Sequence, residues 1–179
     1  MTAAKMIAVD LGLPSGTLWG DRNIGANEPE NTGDYFRFGE VVPFKGDSLP
    51  YKYEDLGEDY DVAGTERDAA TVILGSEWHL PTEEQIRELH DCCTAQWETI
   101  NGMEVLKVTG PNGNTIFFPL AGNLNKSGEL SGNGKSGGIW SASYLSESTG
   151  RLLFWQPGYW NVDSCDCAYA FPIRPVINK

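Results

Sequence analysis

Glycine and proline interrupt this chain throughout, 21 and 10 of them in 179 residues, and that density means much of the chain has to be turn and loop. GLPSG at 12–16, PNGN at 111–114 and AGNLNKSGELSGNGKSGG at 121–138 are turn or loop sequences. The last reads as a flexible loop, too short to divide the chain into two stable domains. With 40% hydrophobic and 11% aromatic residues the chain still has material for a core and is not disordered. One domain spanning residues 1–179 is expected.

Two segments between the turns carry helix signals. DAATVILG (68–75) begins on an Asp suited to an N-cap and ends on a Gly suited to the C′ position. PTEEQIRELHDCC (81–93) has Thr82 and Gln85 at capping-box spacing, with Ile86, Leu89 and Cys93 on one face of the helix that follows. Strand signals surround them. IAVDLGLPSGTLW (7–19) reads as two short strands about a Pro-Ser-Gly turn, and GMEVLKVTGPNGNTIFFPLAG (102–122) as a β-hairpin. IWSASYLSESTGRLLFW (139–155) gives two more strands, and Tyr169 to Val176 a closing one. Residues 21–67 mix Gly, Asp, Glu and Pro with scattered aromatics, which predicts long irregular structure pinned by its rings. Trp19, Trp78, Trp97, Trp140 and Trp155 are expected in the core.

A net charge of −12 opposes nucleic-acid binding, which needs a basic face, and opposes adsorption to anionic membranes. No apolar run reaches the roughly 18 residues of a membrane span, and the first residues lack the apolar core of a secretion signal. A soluble chain without membrane insertion or signal peptide is expected.

Residues that carry chemistry are sparse. Cys92-Cys93 and Cys165-x-Cys167 lack the spacing of structural zinc sites and read as free thiols. His79 and His90 have no triad pattern about them, and His79 is expected to make a structural hydrogen bond. EDLGEDYD (54–61) lacks EF-hand spacing and reads as a solvated acidic face. EPEN (28–31) and WNVD (160–163) faintly echo the Glu-Pro-Asn and Trp-Asn-Asp calcium motifs of animal C-type lectins, but an inserted residue breaks each and they lie far apart. GNGKSGG (132–138) contains G-x-G-K-S without the strand and helix of a phosphate loop. No metal, cofactor or catalytic residue is expected.

The densest gathering of contact-making side chains is QPGYWNVDSCDCA (156–168), which mixes aromatics, thiols and small polar groups without a clear period, as a surface loop does. Tyr159 and Trp160 follow a Pro157-Gly158 turn and are expected to be exposed. Tyr and Trp supply rigid contact area, and Ser, Asn and Asp supply adaptable hydrogen bonds.

Seven stretches, in order, resemble the Fibrobacter succinogenes major paralogous domain: VDLGLPSGTLW (9–19), GDYFRFGE (33–40), DAA (68–70), WHLPTEEQIREL (78–89), VTGPNGNTIFFPLAG (108–122), IWSAS (139–143) and FPIRPV (171–176). The resemblance spans nearly the whole chain. It implies an α+β, C-type-lectin-like fold of the formylglycine-generating-enzyme superfamily, with two helices packed on small antiparallel sheets, long irregular loops, and paired N- and C-terminal strands. Domains of this type also serve as the variable proteins of diversity-generating retroelements in gut bacteria and their phages, where adenine-directed mutagenesis rewrites a C-terminal segment on a fixed scaffold.

The function this resemblance implies is non-catalytic display of a variable surface toward a protein or glycan ligand, on a cell surface or phage particle. The surface it implies comprises Ala142, Tyr144, Leu145, Ser146, Glu147, Arg151, Gln156, Tyr159, Trp160, Asn161, Asp163, Ser164, Cys165, Cys167 and Ala168, many of them types reachable by altering the adenines of an Asn codon. Two alternatives stand beside it: a formylglycine-generating-enzyme-like catalytic domain using Cys165 and Cys167, and an undiversified surface or adhesion paralogue. Asp163 and Asp166 oppose the first by disfavouring a thiolate. The Gly-Gly-Ser-Trp segment of those enzymes is replaced by Gly137-Gly138-Ile139-Trp140.

Overall fold

Along the chain the elements run β1 (Ala8–Asp10), β2 (Leu18–Gly20), β3 (Phe36–Arg37), α1 (Ala69–Leu74), α2 (Glu83–Cys92), β4 (Thr94–Ile100), β5 (Met103–Thr109), β6 (Thr115–Pro119), β7 (Asn123–Leu124), β8 (Leu130–Ser131), β9 (Gly137–Ser146), β10 (Thr149–Gln156), β11 (Tyr159–Asp166), β12 (Ala170–Phe171) and β13 (Val176–Ile177). They come from a computed structural model, which describes residues 5–46, 49–58 and 60–179. Asp59 of the acidic run and the first four residues lie outside the described residues. The architecture is α+β, with two helices and four small antiparallel sheets among the described residues, in the orders β1-β2-β13, β11-β10-β9, β3-β12-β7-β8 and β4-β5-β6.

Both helices form where their caps are. Asp68 accepts from the Ala70 and Thr71 amides at 2.8 and 3.2 Å, and Gly75, at φ 109°, ends α1 in a conformation open to glycine. At α2 the Thr82 hydroxyl accepts from the Gln85 amide while the Gln85 side chain accepts from the Thr82 amide, a complete capping box. Ile86 and Leu89 of this helix are fully buried.

The Gly16 amide bonds to the Leu13 carbonyl at 2.9 Å, closing the turn that folds β1 onto β2. β13 pairs with the other edge of β2, Val176 opposite Trp19, so the first and last strands share one sheet. The described residues of 21–67 are largely irregular, and rings tie them down: the Tyr35 hydroxyl donates to the Ala121 carbonyl (2.6 Å) and Tyr51 to Phe38 (2.8 Å).

The β9–β10–β11 sheet separates two apolar clusters, because successive strand residues point to opposite faces. Leu153 and Trp155 enter the cluster formed with α2, Trp19 and Phe118. Leu152 and Trp140 enter the cluster of Phe36, Phe38, Trp78 and Phe171. Gly137 is required by the first of these, since a Cβ there would lie 2.3 Å from the Trp155 indole nitrogen.

Thr94–Ile100 is a strand, β4, pairing with β5, in a stretch whose exposed residues give no alternation to read. Three expectations are corrected. Trp97, on this strand, is 38% exposed and not core. Residues 121–138 are not a plain flexible loop: β7 and β8 pair within them, and Asn125 accepts from the Ser127 and Glu129 amides. The closing strand is split into β12 and β13 because Pro172 and Pro175 offer no amide to a ladder.

Candidate functional site

Residues 159–166 form a strand, not a loop. β11 pairs with β10 along its whole length, from Gln156 opposite Tyr159 to Thr149 opposite Asp166. The alternation is real but disguised by composition. Trp160 and Val162 turn inward against the α2 cluster, with the Trp160 ring 4.8 Å from that of His90, while Tyr159, Asn161 and Asp163 turn outward. An aromatic faces each way, so polarity alone gives no period. Trp160 is therefore half-buried and not the exposed anchor expected of it, whereas Tyr159 is 43% exposed.

Partners directly opposite in the ladder share a face. Asp163, Asn161 and Tyr159 therefore stand beside Leu152, Phe154 and Gln156 of β10. There the sheet opens into a groove of about 240 Å³ lined by Asn123, Leu152, Phe154, Asp163, Ser164, Cys165, Tyr169 and Phe171. Its floor is apolar and its rim polar, the usual composition of a ligand-binding concavity. Asn123, Phe154 and Tyr169 were not legible as site residues. Phe154 sits in the apolar run Leu152–Trp155, which marks a strand buried on both faces, yet it alone of the four is half-buried while Leu152, Leu153 and Trp155 are in the core.

The remaining residues of the expected surface scatter. Leu145 and Glu147 are exposed and Ser146 half-buried, at the β9–β10 turn, the opposite end of the sheet from Gln156 and Tyr159. Arg151 turns to the helix side and reaches Glu83 of α2 at 3.3 Å. Four assignments fail because the side chains are inside. Ala142 is buried where its amide bonds to Pro81 and its carbonyl accepts from Val62. Tyr144 is 8% exposed, in the second cluster, with its hydroxyl turned to the Glu54 carbonyl at 3.3 Å. Cys167 and Ala168 are buried past the end of β11, where the chain turns back toward β12.

No known family, curated protein or solved structure matches this chain.

The two thiols near the site, Cys165 and Cys167, are shifted toward the protonated form. Burial pushes Cys165 up to about 11, and Asp166 and Asp163 beside it push the same way. Burial likewise raises Cys167 to about 12. His79 makes the expected structural bond, from Nδ1 to the Leu80 carbonyl at 2.8 Å, and the four cysteines are free.

At the end of β11 an ionic cluster ties two loops to the sheet. Asp166 meets Lys126 at 2.6 Å, the Tyr53 hydroxyl at 2.8 Å and the Ala168 amide at 2.9 Å. Burial alone raises the Asp166 pKa, but these three donors outweigh it and hold the carboxyl below its ordinary 3.8. A carboxyl more acidic folded than unfolded contributes stability that is complete above the unfolded pKa and is lost as pH falls through the folded one. A partly exposed pair of this kind contributes at most about 1 kcal/mol, so Asp166→Asn should lower Tm by about 2–4 °C near neutrality. The gap from wild type should close as the pH is taken down through the acid range below 3.8. Melting curves across that range check it; a gap that stays constant would show that the ionised carboxyl has no part in holding the loops.

Proposed function

We propose that this chain is a non-catalytic ligand-binding module with a C-type-lectin-like fold, and that it is the variable protein of a diversity-generating retroelement, displayed on a cell surface or phage particle. One observation carries the binding reading. β11 anchors itself through Trp160 and Val162 and leaves Tyr159, Asn161, Asp163 and Ser164 exposed beside an apolar-floored groove. Recognition side chains on a paired strand are held more rigidly than on a free loop, which lowers the ordering cost of binding. The pairing of first and last strands and the long irregular segment at 21–67 agree with the fold the sequence resembles. The ligand is a protein or glycan surface met by aromatic stacking from Tyr159 and hydrogen bonds from Asn161 and Asp163.

Replacing Tyr159, Asn161 or Ser164 singly by Ala should change stability by less than about 0.5 kcal/mol, a shift of about 2 °C or less in Tm. A loss several times larger would mean these residues build the fold and do not decorate it. The decisive experiment is a displayed library randomised at Tyr159, Asn161, Asp163 and Ser164, scored first for folding and then for capture on panels of glycans and proteins. A folded library that yields binders supports the reading; a library that mostly unfolds, or folds and captures nothing, defeats it. The retroelement is tested separately in the neighbouring DNA. A near-copy of the segment coding for residues 140–176, differing at adenines and accompanied by a reverse transcriptase, is the required finding.

A further inference from the structure

Two of the sheets end in long strands with an open edge, β11 in one and β4 in the other, and the two edges differ. On β11 the Val162 amide is taken by the Asn161 side chain and the Ser164 amide by the Asp163 side chain, both at 2.8 Å. Such side chains occupy donors that a foreign strand would otherwise use. β4 has no such cover.

The geometry of β4 follows from its turn. Asn101 and Gly102 both have positive φ, 50° and 80°, and join Ile100 to Met103 as a two-residue hairpin of the type I′ kind. In such a hairpin the closing pair is hydrogen-bonded, and bonded pairs then recur at every second residue. Glu98 with Val105, Gln96 with Lys107 and Thr94 with Thr109 are therefore bonded to β5. Ala95, Trp97 and Thr99 aim their amides and carbonyls the other way, off the sheet. None of these groups has a hydrogen-bond partner among the described residues. Trp97, opposite the buried Leu106, lies on the core-facing side of the sheet but beyond the rim of the core.

We propose that β4 pairs antiparallel with β4 of a second copy of this chain, about a two-fold axis through Trp97. The three outward residues are spaced evenly about that axis. Trp97 meets its own copy as a bonded pair, and Ala95 meets Thr99 on each side, so every outward amide and carbonyl finds a partner. An isologous contact needs this self-complementarity. The side chains agree with it. The Trp97 rings come together on the core side and cover the area each leaves exposed alone, while on the other face Glu98 meets Gln96 and not another carboxylate. Glu98 is already paired with Lys107 at 3.1 Å. The two three-stranded sheets become one of six, leaving the β11 groove free on each copy. The proposal does not depend on what that groove binds.

Two chains of net charge −12 repel, and one strand pair buries less than a standard interface, so the dimer is weak and tightens when salt screens the charge. Sedimentation equilibrium from about 10 μM to about 1 mM protein, in about 0.15 and 0.5 M NaCl, tests it. The weight-average mass of the wild type should climb from 19.6 kDa toward twice that value, at lower protein concentration in the higher salt. Thr99→Pro removes one outward amide without touching a bond to β5, and Trp97→Lys sets two ammonium groups against each other on the axis. Both should stay at 19.6 kDa throughout. Melting curves establish that each variant is folded, and if Thr99→Pro is not, Trp97→Lys decides. A wild type that stays monomeric at the highest concentration and salt overturns the proposal, as does a folded variant that dimerises as readily as the wild type.

Discussion

Arg174→Met should destabilise the protein by about 3–5 kcal/mol, read as a fall of about 10 °C in Tm. The guanidinium is wholly buried within FPIRPV. Among the described residues it faces no carboxylate at hydrogen-bond distance; instead Nε donates to the Asn23 side chain at 2.9 Å, and the two terminal nitrogens donate to the Gly20 carbonyl (3.4 Å) and the Phe117 carbonyl (2.6 Å). The Phe118 ring lies 4.4 Å from its central carbon. Burial presses the pKa down to about 9, so the group is still charged at neutral pH. Two effects oppose each other on substitution. Removing a buried charge relieves its desolvation cost, but it strands acceptors on three segments, each costing about 1–3 kcal/mol when left unpaired. Three stranded acceptors outweigh the relief. Arg174→Lys should rescue little, because a single ammonium cannot reach three acceptors spread around a planar fork. A methionine variant within about 1 kcal/mol of wild type would mean the site rearranges to satisfy those acceptors without the cation.

Asp68→Ala should be comparably damaging. Its carboxylate is fully buried and accepts four amides: Ala70 and Thr71 on one oxygen, Gly64 and Leu80 on the other, at 2.8 to 3.2 Å. An N-cap alone is worth about 1 kcal/mol. Here the same side chain also fixes the loop before α1 and the segment leading to α2, so alanine leaves buried donors at three places and should cost about 4 kcal/mol. Asp68→Asn keeps one acceptor and should lose about half as much. Urea melts measure both through a shift in midpoint at constant slope. An alanine variant that loses no more than an ordinary cap would show that the Gly64 and Leu80 amides find other partners.

These two residues also show what the sequence made legible. Asp68 and Thr82 announced their helices because a cap acts on amides two or three residues away, and the signal is local. The additional bonds from Asp68 to Leu80, twelve residues on, and from Arg174 back to Asn23 had no local trace. β4 leaves no trace in the sequence because Gln96, Trp97, Glu98 and Thr99 are all exposed, so nothing in their polarity separates one face from the other. In the candidate site, Tyr159, Asn161 and Asp163 were identified by residue type, but type cannot tell a strand residue that faces water from a neighbour that faces the core. Ala142, Cys167 and Ala168 are small enough to suit either place, and only the tertiary fold put them inside.

The inward turn of Trp160 and Val162 has a consequence for any gene that rewrites this region. Codons 159, 161 and 163 alter what an encountered molecule meets; the two codons between them spell out whether the sheet stays seated beneath α2. Mutation spread evenly along the stretch would discard many of its products as misfolded chains. A mutator whose targets fall on every second triplet would keep most of its offspring alive, so if the proposed adenine-directed rewriting acts here, the placement of adenines in this short reading frame would set how fast new specificities could be explored.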